Sequence, residues 1–162
     1  MMQARMRQAY LLAVVVVASV GVVGTAFAQV NPRIVGTWKL NVAKSKYTTG
    51  TAPKSLTLKY EAAGAGVKLT IDSVGATGTV SHWEYTANED GKDHPVTGSD
   101  NTVVAVTRVD ANTTRSVYKT DGKVTSTSTF VVSSDGKMMT VTGTSTSATG
   151  QTVDTVRFYD KQ

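Results

Sequence analysis

The chain carries two histidines, His82 and His94, and His82 stands two residues from Glu84 in a stretch patterned as a β-strand. Alternate strand residues project from one face, so His82 and Glu84 share a side, with His94 across the following hairpin. Imidazole and carboxylate are zinc-ligand types. The chain has only these two histidines, however, and neither spacing is that of a ligand motif. They read as surface groups beside an Asp-Gly-Lys turn, and no metal site is assigned. Serine and threonine hydroxyls are abundant, yet no G-x-S-x-G elbow occurs and no histidine has a motif-defined nucleophile or carboxylate partner. The sequence has no cysteine, which removes thiol nucleophiles, disulfides and thiolate metal sites together. No catalytic residue and no cofactor follow, and the expectation is a protein that is not an enzyme. Trp83 and Tyr85, alternate on one strand, read either as the walls of a pocket or as plain core.

The elements that would position these side chains are all strands. Threonine dominates the chain beyond residue 28, interleaved with valine, and both are β-branched residues that favour a pleated surface. Period-2 faces follow: Trp38, Leu40 and Val42; Leu56, Leu58 and Tyr60; Val67, Leu69 and Ile71; Trp83 and Tyr85. Val104 and Val106 come next, then Val117 flanked by Arg115 and Lys119, Phe130 and Val132, Met139 and Val141, and a last strand over Val153 to Asp160. A short piece is expected around Pro95-Val96-Thr97. Asp90-Gly91-Lys92, Asp121-Gly122-Lys123 and Asp135-Gly136-Lys137 repeat one hairpin signal, with glycine supplying positive φ and aspartate bonding its own backbone. Asp110 to Thr113 and Ala148 to Gln151 serve as further turns. The one candidate for a helical turn is Ala43 to Tyr47. The fold class is therefore all-β: an antiparallel up-and-down barrel of about eight to ten strands, closed because a meander must cover its edges. A two-sheet sandwich is the rival.

Small side chains crowd the later strands. Ser126 and Ser128 share one face, Thr125, Thr127 and Thr129 the other, and Gly143 and Ser145 fall on the Met139/Val141 face. Interiors are close-packed, so either the barrel is narrow or it holds water or a ligand.

The N-terminus reads as an address. Arg5 and Arg7 precede an uncharged Leu/Val/Ala run from Tyr10 to Val23, and Ala26-Phe27-Ala28 is a small-x-small cleavage pattern. This is the build of a Sec-type signal peptide, and the apolar run, about 14 residues, is short of the ~20 needed to span a bilayer. Residues 1–28 are thus expected to be removed, leaving a single domain over 29–162 that is secreted or periplasmic, with no membrane span. The formal charge of the whole chain is +5, from 17 Lys/Arg against 12 Asp/Glu. Without the two leader arginines it becomes +3, and the remaining lysines are scattered singly. Nucleic-acid binders concentrate charge and interleave aromatics, so no nucleic acid is expected. An aromatic content of 7% and Thr/Lys polar faces argue against an outer-membrane barrel.

Ile34-Val35-Gly36-Thr37-Trp38-Lys39-Leu40 opens the folded part, and Gly-x-Trp on a first strand resembles the shared signature of lipocalins and fatty-acid-binding proteins. Arg157-Phe158-Tyr159, near the end, is similar to the Arg-x-Tyr of fatty-acid-binding proteins, whose side chains hold a ligand carboxylate. In lipocalins a late basic residue instead packs over the Gly-x-Trp indole, and Arg157 could fill either role. Arginine chemistry suits both, through a planar fork of donors or a cation over an indole. The chain most resembles secreted bacterial lipocalin-like proteins with no assigned activity. It departs from fatty-acid-binding proteins in leaving only Ala43 to Pro53 for their two lid helices, and in lacking their second arginine on Val124 to Ser133. The lipocalin Thr-Asp-Tyr motif is also missing.

The resemblance implies a barrel holding a small apolar, amphipathic or fatty-acid-like ligand, with Arg157 and Tyr159 at its polar end and Trp38, Trp83 and Tyr85 among the walls. The alternative is a non-catalytic cell-envelope interaction module whose interior is packed shut. Exported with its own N-terminus, the protein should give an intact mass corresponding to a chain that begins at Gln29. A mass retaining Arg5 and Arg7 would make the leader an uncleaved anchor.

Overall fold

In the computed structural model, which describes residues 30–146 and 150–162, the β-branched stretches form eleven strands: β1 (Gly36–Leu40), β2 (Lys46–Tyr47), β3 (Ser55–Ala63), β4 (Gly66–Val74), β5 (Val80–Ala87), β6 (Asp90–Pro95), β7 (Thr102–Arg108), β8 (Thr113–Thr120), β9 (Lys123–Val132), β10 (Met138–Thr146) and β11 (Thr152–Lys161). All pair antiparallel, in the order β5-β4-β3-β1-β11-β10-β9-β8-β7-β6, with β2 attached to β11. This is an up-and-down barrel, and it excludes the two-sheet sandwich. No described residue is helical, and among the described residues no helix is long and apolar enough to cross a membrane.

Two joints close the ring. At the first, β1 pairs with β11 through Trp38 and Lys161, Lys39 and Asp160, and Leu40 and Tyr159. The chain then turns over Val42–Lys44 and resumes as β2, opposite Thr155 and Val156. Ser45 holds this break: its hydroxyl donates to the Asn41 carbonyl at 2.8 Å and accepts the Phe158 N–H at 3.1 Å. Ala43 to Tyr47 therefore makes a turn and a short strand instead of a helical turn, and Val42 falls outside β1 and is exposed. The second joint lies between β5 and the segment after β6, where Glu84 and Thr97 exchange backbone hydrogen bonds at 3.0 and 2.8 Å. Gly98, at φ +86°, lies so close to β5 that a Cβ there would sit 2.5 Å from the His82 carbonyl. Only glycine lets the barrel close at that point.

Two expectations are corrected. Asp90-Gly91-Lys92 is not a hairpin tip: it opens β6, where Gly91 at φ +76° and a register shift between Asp90 and Asp93 make a bulge. Positive φ serves a bulge as readily as a turn. The other two Asp-Gly-Lys copies and Asp110–Asn112 do join consecutive strands, whereas Ala148 and Thr149 lie outside the described residues, as does the leader. On β8 the inward face is Thr114, Ser116 and Tyr118, all buried, and Val117 points outward with Arg115 and Lys119. The neighbours Val104 on β7 and Ser128 on β9 fix that register, and a lone valine among charges carries too little apolar area to override it.

The interior is divided along the barrel axis. At one end Trp38, Val104, Met139 and Val141 are fully buried in a single cluster. The residues before β1 plug this end: Ile34 is buried, and the Asn31 side-chain amide donates to the Ala111 carbonyl at 2.7 Å. Trp38 ties plug to barrel by donating its indole N–H to the Ile34 carbonyl at 2.7 Å. A Trp38→Phe variant keeps most of the apolar surface but strands that buried carbonyl, so denaturant unfolding should show a loss of about 1–3 kcal/mol. An unchanged midpoint would mean that the indole N–H does not anchor the plug.

Candidate functional site

Beyond the packed end the inward positions shrink, and the space they leave is a cavity of about 640 Å³, within the range of about 300–1,000 Å³ typical of small-molecule sites. The packed interior of the alternative reading is not what the structure has. The predicted small-residue faces line it: Ser126 and Ser128 on β9, Gly143 and Ser145 on β10. Thr125 joins them although alternation puts it on the other face, because a register shift at Tyr118/Lys119 bulges the β8–β9 hairpin.

The lining is two-sided. β3, β4 and β5 contribute Leu56, Leu58, Leu69, Ile71 and Trp83, with Ser81 near the rim. β8, β9 and β10 contribute hydroxyl groups from Thr120, Thr125, Ser126, Ser128 and Ser145, interrupted by Tyr118 and Phe130. In a ring of ten strands, β3–β5 lie five places from β8–β10, so the apolar and hydroxyl walls face each other. Trp83 meets Tyr118 edge-to-face, with ring centroids 5.5 Å apart at 73°, which fills the barrel behind the β5/β6 joint.

Arg157 stands on β11 between the two walls and lines the cavity with Val153, Thr155 and Tyr159. Strand parity puts these residues inside and Val156 and Phe158 on the opposite face. The guanidinium acts electrostatically on Tyr47, Tyr60, Tyr118 and Tyr159, and it hydrogen-bonds the Tyr159 side chain. Its Nε is buried without a hydrogen-bond partner, and so is the Tyr47 hydroxyl. Among the described residues none of the ion pairs includes Arg157.

The phenols around it stay protonated. Burial pushes Tyr159 up to about 12, against the lowering effect of the Arg157 charge. Burial likewise takes Tyr118 to about 12, opposed by the Tyr85 hydrogen bond and by Arg157. Tyr60 and Tyr85 are driven well above the ordinary phenol range by burial, and Tyr47 is raised for the same reason. No neighbouring phenolate therefore neutralises the guanidinium near neutral pH, and arginine does not give up its proton there.

The residues singled out from sequence separate. Arg157, Tyr159 and Trp83 line the cavity. Tyr85 is buried behind it against Tyr118, at a centroid distance of 6.2 Å. Trp38 is in the packed end, and the cation over its indole is Lys161, 5.0 Å from the ring centroid, not Arg157. His82, Glu84 and His94 do not converge: His82 pairs with Asp72 at 2.6 Å, Glu84 with Lys68 at 2.8 Å and His94 with Asp90 at 3.5 Å. Tyr47 and Tyr118 went unrecognised. Tyr118 could have been found from its two-residue spacing to Ser116 once the face of β8 was known, but Tyr47 reaches the cavity only because β2 attaches to β11 across a turn.

No family model and no curated protein matches the sequence. Among the solved structures that align with it are two ligand-binding proteins. The siderocalin Ex-FABP, described as functioning through dual ligand specificities, shares 15% identity over 80% of this chain and 71% of its own, with a TM-score of 0.38. Zebrafish ileal bile-acid-binding protein, complexed with cholic acid, shares 13% identity over 80% of this chain and 99% of its own, with a TM-score of 0.44. Likeness at this level does not say what the present barrel holds.

The raised phenols set an alkaline limit. A group whose folded pKa lies above its unfolded value of about 10 stabilises the fold fully below pH 10, and that contribution disappears as pH climbs through the folded value. With Tyr118 and Tyr159 near 12, the unfolding midpoint should hold steady to about pH 10 and then fall toward pH 12. Phenolate absorbance should rise together with unfolding. Independent titration of these tyrosines at pH 10 in a folded protein would contradict their burial.

Proposed function

We propose that this protein is a binding protein, not an enzyme, which holds a small amphipathic organic anion inside its barrel with the anionic group at Arg157. The observation that carries the reading is the guanidinium itself: a partly buried cation facing a cavity, with an unsatisfied Nε, neutral phenols around it and no carboxylate in reach. A charge taken from water is costly unless paired. Arginine and a carboxylate form two parallel charge-assisted hydrogen bonds, and the Tyr47 and Tyr159 hydroxyls stand ready as further donors. Leu56, Leu58, Leu69 and Ile71 supply apolar surface for the rest of the molecule. The leader pattern of residues 1–28 supports a periplasmic or secreted place for this activity.

Arg157→Gln tests the reading. It keeps a polar side chain and removes the charge, so affinity for an environment-sensitive fluorescent carboxylate should fall about 10- to 100-fold, as expected for a hydrogen bond to a charged group. Affinity for the matching uncharged alcohol should change little. Equal binding of the carboxylate by both proteins would refute the anion site.

A further inference from the structure

Resting on that reading, we propose that the ligand is a rigid, facially amphipathic anion, with hydroxyl groups along one face and hydrocarbon along the other, and not a flexible acyl chain. The argument is the distribution of the lining. Leu56, Leu58, Leu69 and Ile71 come from strands lying across the ring from those that carry Ser126, Ser128 and Ser145. An acyl chain is apolar on every side. Lying in this cavity it would satisfy the β3–β4 wall and strip water from the serines without replacing their hydrogen bonds, a loss for each buried hydroxyl. A uniformly polar ligand would fail on the opposite wall.

Three further observations agree. The Ser126 and Ser128 hydroxyls have no hydrogen-bond partner among the described residues, so they are available to a guest. Gly143 has no side chain to cover them: a Cβ there would lie 2.6 Å from the Ser128 Oγ. Arg157 stands at the meeting line of the two walls, where the acidic end of a two-faced molecule would emerge without turning either face to the wrong side. Rigidity follows from the same arrangement. A flexible chain bearing scattered hydroxyls would have to be ordered to keep them all on one side, at a cost of about 0.5–1.5 kcal/mol for each rotamer-rich group fixed.

Three probes chosen for shape decide the matter by calorimetry on the purified protein: cholate, with three hydroxyls on one face of a rigid ring system; lithocholate, with the same rings and acid but one hydroxyl; and palmitate, a flexible chain. Cholate should bind at least tenfold more tightly than palmitate. In a Ser126→Ala/Ser128→Ala variant, which removes two oxygen atoms and should leave the melting temperature in place, cholate should weaken about 10- to 30-fold, roughly fivefold for each hydrogen bond lost. Lithocholate should change less than about twofold. Palmitate binding as tightly as cholate, with both losing affinity in Arg157→Gln, would overturn the two-faced ligand and leave the anion site standing. Cholate indifferent to the double variant would overturn it as well. If none of the three acids binds, or Arg157→Gln changes nothing, both proposals fall together.

Discussion

A fully buried indole must place its one N–H on an acceptor or forfeit about 1–3 kcal/mol, and at Trp38 that requirement draws both ends of the domain to one place. The acceptor is the carbonyl of Ile34 in the segment that plugs the barrel. Over the ring stands the ammonium of Lys161, which also donates to the Arg33 carbonyl at 2.8 Å. Gln162 adds a backbone hydrogen bond to Thr37. First strand, last strand and plug therefore meet around a single side chain. The β1–β11 joint is short, and this convergence is what makes it secure.

With one end closed in this way, the other can be left open at little cost to the fold. The large residues Leu40, Tyr60, Val67, Val132, Met139 and Val141 sit toward the Trp38 end, where interlocking side chains give the packing density of a normal core. Further along β9 and β10 the inward positions become serine and glycine. Backbone pairing continues unbroken there, from Met138–Asp160 to Thr146–Thr152 between β10 and β11. The sheet thus holds its shape by hydrogen bonding where it has given up side-chain packing, and the cavity is the volume so released. Stability and binding are assigned to different lengths of the same strands.

Arg157 lies at the boundary between these regions. Closer to Trp38 it would be a buried charge without compensation; closer to the rim it would be a solvated surface group of little consequence. Tyr159, two residues on, packs fully into the core, so the Arg-x-Tyr pair spans the boundary and anchors the arginine from below. The protonated phenols around it lend hydrogen-bonding capacity without cancelling its charge. A cation in these surroundings favours an anion over water.

Much of this was legible in the residue pattern, and for a physical reason. Strand formation and facing depend on β-branching, period-2 alternation and glycine-bearing turns, all local properties, so the all-β class, most strand faces, and the small residues of β9 and β10 could be read directly. Arg157 and Tyr159 could be placed together because strand parity fixes them on one side. Local pattern failed where a single residue was asked to decide: at Val117, whose apolar character gave the wrong face of β8, and at Asp90-Gly91-Lys92, whose glycine bends a strand instead of turning it. What no local pattern contains is the relation between strands distant in sequence. Which cation covers Trp38, that Tyr47 reaches the Arg157 neighbourhood from a two-residue strand, and that the leucine wall confronts the serine wall all depend on ring closure. The sequence by itself determined strands, turns and the inward face of β11; the tertiary structure alone decided which inward faces look at one another, because closure is a long-range constraint that each strand obeys only in the company of the rest.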